Sequence, residues 1–537
     1  MADAGDTAFA SGLRESDSPL DRRMVAHDLW PRRLIERREG QPLTLPAKVL
    51  WPVDADAAAL AVRRAREAGA HIVPFGAGSG VCAGIAPGAD AWVVDTKRID
   101  RLEWLDEGRG LCRVGAGMNG ERLERALNAR GFSLGHFPSS IYCSTVGGWV
   151  ACRSAGQLSS RYGKIEDLVV ALEGVDGRGQ KIRADLHDPT TGPGALRLLI
   201  GSEGALCLFT HVELKVHRLA THRWMRGFSW ADMASGLDAM RSLLQAGEAP
   251  SVLRLYDPLD SLLAGQLVEK ADPDHIRAGG IAHAGLEESG PHDDEEEPSI
   301  FDRALEQIER VALFSRPGAT RRLVGELLRR PIVANNLLDR WLGASKMVIG
   351  LEGDGDALGH RAPALRGRLI ALGATDLGEG PGAKWLLNRH RVSYRMSHAF
   401  AAGGWVDTME VALPWEGVEP LYNDVREALR DVAVVMCHFS HAYADGCSLY
   451  FTFAGGGAPG SGPRSARARY DLTWERALST VRRSGAAISH HHGVGRSKVR
   501  ALKRTDAEQR LLSELKAALD PDGLFNPGVI GLGGRGG

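Results

Sequence analysis

The stretch "LPAKVLWPVDADAAALAVRRAREAGAHIVPFGAGSG", residues 45 to 80, constrains the fold most. An apolar run around Val49 gives way to an Ala/Arg segment with helical spacing and then to a second apolar run, Ile72 to Phe75, which is β-α-β in outline. The second run enters Gly76, Gly78 and Gly80 without a polar spacer. The expected result is a strand that ends in a turn almost bare of side chains. Successive N–H groups pointing inward from such a turn form an anion nest. Pro74, Gly76, Ala77, Gly78, Ser79 and Gly80 are the residues that would cradle a pyrophosphate. The pattern is not the dinucleotide G-x-G-x-x-G, because Gly80 runs into "VCAGIAPGAD" and not into an obvious helix. Taken alone, a glycine-rich turn after a strand is equally a plain tight turn.

A chain of 537 residues exceeds one ordinary core, so two or three domains are expected. After a polar, Arg-rich, helical lead over 1–45, strand-sized pieces at "AWVVDT", "LCRVGAG", "LVVALEGVDGRGQKIRA" and "LCLFTHVELKVH" make 46–218 one α+β domain. From 219 to 480, helices such as "ADMASGLDAMRSLLQAG" alternate with strands such as "SVLRLYD", "SKMVIGLEG" and "GCSLYFTFAG", and a closing segment follows over 481–537. Residues 271–299 lack apolar periodicity and end in an acidic run, as a solvated insert does. A loose patch, "AGGGAPGSGPRSARARY", separates the strand around Tyr450 from a helix expected to begin near Asp471.

Lys and Arg number 66 against 67 Asp and Glu, a balance that gives no ground for a nucleic-acid partner. The seven cysteines form no C-x-x-C pair and read as reduced thiols. The amino terminus has neither the basic start nor the apolar run of a secretory signal, and no window approaches the ~20 apolar residues that cross a bilayer. A cytoplasmic protein is expected, with peripheral lipid contact and homodimerisation left open.

Two further stretches carry small hydroxyls and glycines. "HFPSSIYCSTVGGWVACRSAGQLSSRYGKIEDLVV", residues 136 to 170, holds Ser144, Thr145, Gly147 and Gly148. It reads either as the wrapping of a flat cofactor or as a capped helix entry with a small-residue packing face. "LIGSEGALCLFTHVEL" follows at 199–214. In this order the motifs resemble the PCMH-type FAD-binding domain of the vanillyl-alcohol-oxidase flavoenzymes, over about 46 to 218. The resemblance adds Ile165 and Glu203 to the cofactor-binding residues.

Farther along, "RLYD", "HFSHAYADGCSLYFTF", "SHHHGVGRSK" and "DPDGLFNPG" resemble the alkyl-dihydroxyacetonephosphate synthase family, flavoenzymes that make ether-lipid precursors. That similarity runs over roughly 30 to 530. It implies an α+β protein with a two-subdomain FAD-binding domain and a mixed α/β cap domain built on an antiparallel sheet. The implied reaction replaces the acyl group of acyl-dihydroxyacetone phosphate by a fatty alcohol, with non-covalent FAD as cofactor and no net oxidation. The alternative on the same fold is an FAD-linked oxidase or dehydrogenase of a 2-hydroxy acid or alcohol. Where the animal synthases carry an arginine this chain has His438, which leaves the substrate open. The peroxisomal presequence of the eukaryotic enzymes has no counterpart here.

The candidate chemistry sits on few residues. His490, His491 and His492 are consecutive, so they point in different directions and do not converge on one metal ion unaided, and a metal reading calls on His438 and His441 to complete the site. They read as a metal site, as packing, or as an anion-binding and proton-exchanging group, and the resemblance favours the last. Tyr450 shares one strand face with Ser448 and Thr452. The resemblance makes Tyr450, His491 and His492 catalytic, with Tyr450 taking the substrate proton, and makes Arg254, Arg395 and His490 substrate-binding.

Overall fold

The computed structural model describes residues 12–186, 194–261, 287–288, 328–341, 344–390, 399–400, 403–457 and 464–533. They form two compact units. The first comprises residues up to 156, 163–219 and 488 onward, and the second 157–162 and 220–487.

In the first unit, β1 (Leu13–Ser16) is followed by two short helices that open on prolines, α1 (Pro19–Met24) and α2 (Pro31–Arg38), then by β2 (Lys48–Pro52). Helix α3 (Ala55–Glu67) starts where the Asp54 carboxylate accepts the Ala57 amide, which satisfies one of the free donors of a first turn. Its alanines let it lie close against the sheet. Ala57, Ala58, Ala61, Val62 and Ala65 enter a core with Leu50, Ile72, Val94 and Phe525. Strands β3 (Ile72–Phe75) and β4 (Trp92–Asp95) complete a sheet of order β1-β2-β4-β3. Its β2/β4 and β3/β4 pairs are parallel and its β1/β2 pair antiparallel. The lead is thus no separate piece, since Leu13–Ser16 is the edge strand of this sheet.

A second sheet is antiparallel throughout, in the order β5 (Leu102–Asp106), β6 (Leu111–Gly115), β9 (Leu208–Lys215), β7 (Val169–Val175), β8 (Lys181–Asp185). Between β6 and β7 runs a short helix, α4 (Val146–Cys152). The chain returns to this unit at its end. The amide of Ile72 donates to Leu524 O and the amide of Asn526 to Ile72 O, so Phe525 makes a single parallel bridge to Ile72 at the start of β3.

The second unit is one large sheet with helices. Its long strands run in the order β10 (His222–Trp230), β12 (Ser345–Gly353), β11 (Val252–Tyr256), β14 (Val434–Ser440), β15 (Gly446–Gly456), β13 (Gly404–Pro414), every neighbour antiparallel. Helix α5 (Met233–Gln245) is capped by Asp232, and α6 (Gly355–Ala371) by Asp354. Along β15 the period of two is plain: Leu449, Phe451 and Phe453 are fully buried, whereas Tyr450 and Thr452 stay partly accessible.

The sequence places the start of a helix near Asp471, but the helix runs from Arg464 to Ser484. Its first turns bury Ala466 and Tyr470, and the Tyr470 hydroxyl donates to Asp407 Oδ2 at 2.5 Å. Arginine and alanine are good helix formers, and the Gly/Pro run just ahead of them disguised the entry. No helix among the described residues is long and apolar enough to cross a membrane. The expected insert, 271–299, lies outside the described residues apart from a two-residue strand at 287–288.

Candidate active site

Functional side chains gather in two places, one in each unit. In the first unit the turn after β3 behaves as its sequence requires. Gly78 has φ +70°, and a Cβ on Gly76 would lie 2.3 Å from Thr145 Oγ1, so a side chain there collides with the second glycine-rich stretch. None of the five amides from Gly76 to Gly80 meets an acceptor among the described residues. A row of open, partly accessible amides with no protein partner fits a pyrophosphate.

The loop that follows is held from three directions. Asp28 Oδ2 accepts the Gly84 amide at 2.8 Å. Asn526 Nδ2 donates to Gly84 O and Glu203 O, both at 3.0 Å. Arg496 donates to Ala83 O, Gly84 O, Asn526 Oδ1 and Pro527 O. Three residues at these joints, Ala83, Glu203 and Asn526, sit at positive φ. Non-glycine residues hold that conformation only where their surroundings over-determine it.

The other residues assigned to the cofactor have structural work in this unit. Ser144 Oγ accepts Trp149 Nε1 and donates to Ser140 O, both at 2.8 Å. Thr145 caps α4 by accepting the Gly148 amide at 3.4 Å. Gly147 packs its backbone on Ala116, donating to Ala116 O at 2.7 Å. Ile165 is buried and donates to Ser154 O at 3.1 Å. Glu203 turns to the histidine segment: Oε1 accepts the Val494 amide at 2.6 Å and Oε2 the Gly495 amide at 2.8 Å. Burial outweighs these two donors and pushes its carboxyl up to about 7.

The three histidines follow directly. Their rings meet edge to face, His490 to His491 at 5.3 Å and His491 to His492 at 4.6 Å between centroids. His490 Nδ1 lies 3.1 Å from His491 Nδ1. Burial holds His491 well below the ordinary imidazole range, and the adjacent histidines, Lys498 and Lys164 push the same way. His491 is therefore a neutral hydrogen-bonding group and not a fixed cation. Among the described residues no group of three His, Cys, Asp or Glu side chains is arranged to hold a metal ion.

In the second unit, strand register builds the other cluster. His438 on β14 stands opposite Tyr256 on β11 and opposite Tyr450 on β15. Directly opposed residues on one sheet face touch. The rings of His438 and Tyr450 stack at 4.6 Å with 14° between planes. Arg254, two residues before Tyr256, donates from Nη2 to His438 Nε2 at 2.8 Å, and His438 Nδ1 lies 2.9 Å from Asp260 Oδ2. Arg254 Nε is buried and meets no acceptor among the described residues. Burial pushes the Tyr450 phenol up to about 12, and Glu410 and Asp407 add to the rise, while a Thr408 hydrogen bond and Arg254 oppose it.

Arg395 lies outside the described residues. His438 and His441, the companions a metal reading calls on, are committed elsewhere, since His441 Nδ1 is 2.8 Å from Ser159 Oγ. Asp260 and Thr408 were missed by sequence reasoning. Asp260 follows Arg254 within "RLYDPLD", where its acid is visible but not its partner on a distant strand.

The FAD binding domain family model matches residues 46–185, and the C-terminal domain model of FAD linked oxidases matches 335–530. An alkyldihydroxyacetonephosphate synthase of Trypanosoma brucei brucei is 27% identical over 94% of this chain and 75% of its own length. A solved alkyldihydroxyacetonephosphate synthase superposes with TM-score 0.69 at 22% identity, over 96% of this chain and 82% of that one. The chain thus carries an FAD binding domain and the C-terminal domain of FAD linked oxidases, and along nearly all of its length it is similar to alkyldihydroxyacetonephosphate synthases. An FAD-linked oxidoreductase of Escherichia coli, YgcU, is also similar to the flavoprotein, 25% identical over 82% of this chain and 79% of its own. The cofactor of this chain is FAD, and the open amides of Gly76 to Gly80 lie inside the matched FAD binding domain.

Proposed function

We propose that this flavoprotein replaces the acyl group of an acyl-dihydroxyacetone phosphate by a fatty alcohol. The observation that carries the reading is the row Arg254, His438, Tyr450 on one sheet face, a cation and a phenol joined through an imidazole. The relative named as a synthase, which spans nearly the whole chain, supports it.

FAD, when bound, supplies an electron-accepting ring system against which a carboxylate leaves and an alcohol adds without net oxidation. The remaining work belongs to side chains. Tyr450 removes the proton from the substrate carbon. A buried phenol gives up its proton unwillingly, so the Arg254 cation and the Thr408 hydrogen bond, which both favour phenolate, are the groups that make it a base. The Nε–H of Arg254, which has no acceptor among the described residues, takes the phosphate. The neutral His491, with His490 and His492, donates hydrogen bonds and passes protons, and Arg395 adds a second cation for the substrate. The substrates are lipids, which calls for peripheral contact with the cytoplasmic face of a membrane.

The test is incubation of the holoenzyme with acyl-dihydroxyacetone phosphate and hexadecanol. Ether product with release of one fatty acid is expected, and Tyr450→Phe keeps its yellow FAD while turnover disappears. No ether from the wild type, together with persistent anaerobic bleaching by lactate or glycolate, overturns the reading in favour of an FAD-linked oxidoreductase, the activity named for its Escherichia coli relative.

A further inference from the structure

His438 neither takes the substrate proton nor binds the phosphate in the proposed chemistry, yet it touches both Arg254 and Tyr450, and Asp260 touches His438. The His438 and Asp260 side chains are only 12% and 17% exposed. One face of the imidazole lies on Tyr450, and its two nitrogens are spent on opposite partners. A guanidinium carries no acceptor, so the Nε2 that faces Arg254 must be the lone-pair nitrogen. The proton then sits on Nδ1 and is donated to the Asp260 carboxylate. One tautomer satisfies all three groups.

We propose that Asp260 and His438 are a positioning pair, in which Asp260 fixes the Nδ1–H tautomer of His438 so that its Nε2 accepts from Arg254 and its ring braces Tyr450. Arg254 is left with its Nε–H uncommitted to any acceptor among the described residues, and the phenol is held by contact with a neutral ring. Protonation of His438 undoes this, because an imidazolium has no lone pair for Arg254 and repels it.

The groups around His438 are Arg254 and Tyr256 on β11, Asp257 and Asp260 just after it, Cys437 on the same strand, and Tyr450 on β15. Asp257 is turned away, accepting the Cys437 amide at 2.8 Å. Burial and Arg254 lower the His438 pKa below its ordinary value, and Asp260 opposes them. The neutral form is therefore the resting one at neutral pH, and it is lost only on acidification.

The inference rests on the proposed exchange for its kinetic readout, and a spectroscopic readout stands apart from it. His438→Gln keeps an acceptor for Arg254 and a donor for Asp260 but does not titrate, whereas His438→Phe keeps only the stacked ring. With flavin content and circular dichroism unchanged, His438→Gln should retain turnover within about tenfold and lose the acid limb of kcat/KM. His438→Phe should lose at least about tenfold at every pH, chiefly through KM. An unaltered acid limb in His438→Gln, inactivity of that variant at all pH, or full activity of His438→Phe overturns the proposal. In holoenzyme labelled with 15N-histidine, one Nδ1–H imidazole signal should vanish in His438→Gln. In Asp260→Asn it should change tautomer or titrate at lower pH, because the acid that raises its pKa is gone. Absence of such a signal overturns the proposal whatever the substrate proves to be, and absence of ether product in the wild type touches only the reaction.

Discussion

Single side chains in this protein are judged by what faces them. The resemblance makes Glu203 a cofactor-binding residue, and in the structure its two oxygens accept the amides of Val494 and Gly495. No local signal at 203 announces a partner almost three hundred residues later. Tyr450 and Arg254 were legible only because whole motifs resembled a family, since a strand tyrosine is ordinarily packing. The Glu203 environment carries a pH prediction. Its carboxyl is raised from 4.5 to about 7, and that of Asp28 from 3.8 to about 6, both mainly by burial. A folded-state pKa above the unfolded value means stability is full below about pH 4.5 and declines as pH rises through 7. For Glu203 the loss is on the order of 3 kcal/mol. The melting temperature of the apoprotein should fall between pH 5 and pH 8, and Glu203→Gln should flatten that slope. A melting temperature that climbs over the same range would show that the two amide donors, not burial, decide the charge.

Elements were legible wherever pattern and packing agree. The β-α-β unit of β2, α3 and β3 was plain because one apolar strand, one alanine-rich face and one glycine turn follow each other without interruption. The start of the helix at Arg464 was hidden, because polar arginines and a preceding Gly/Pro run mask the burial of Ala466 and Tyr470. At this scale the turn after β3 makes the sharper prediction. Gly78 sits at φ +70° with the Phe75 ring 3.0 Å from where its Cβ would be. Gly78→Val should therefore distort the row of open amides and yield colourless protein that remains folded by circular dichroism. The double substitution His491→Ala with His492→Ala should do the reverse, leaving FAD bound and removing turnover. Normal flavin content in Gly78→Val removes the turn from the cofactor site, and retained turnover in the double variant removes the histidines from the chemistry.

Across the whole molecule, chain order and unit order differ. The chain leaves the first unit at 219 and re-enters it at 488, and the short piece 157–162 belongs to the second. Sequence reading set boundaries at 218 and 480 by composition, but the helix through Ser484 carries the second unit past 480, and contacts made by a few residues such as Ser159 leave no trace in composition. The return matters for the cofactor. Phe525 is fully buried in the core beneath α3, its neighbours hydrogen-bond to Ile72 at the start of β3, and Asn526 ties Gly84 to Glu203. Phe453, equally buried, lies on β15 against Phe451 and Trp474 in the second unit. Each change to alanine should cost about 3–5 kcal/mol, since both delete a fully buried ring. Their effects on FAD should differ. Phe525→Ala should release flavin at a lower temperature than wild type, because it loosens the unit that carries the open amides. Phe453→Ala should lower the unfolding temperature of the large sheet while flavin release stays near the wild-type value. Following flavin fluorescence and circular dichroism in one heating series separates the two. Equal early release of flavin from both variants would mean that the chain melts as one cooperative body, and that the C-terminal return is no local brace of the cofactor.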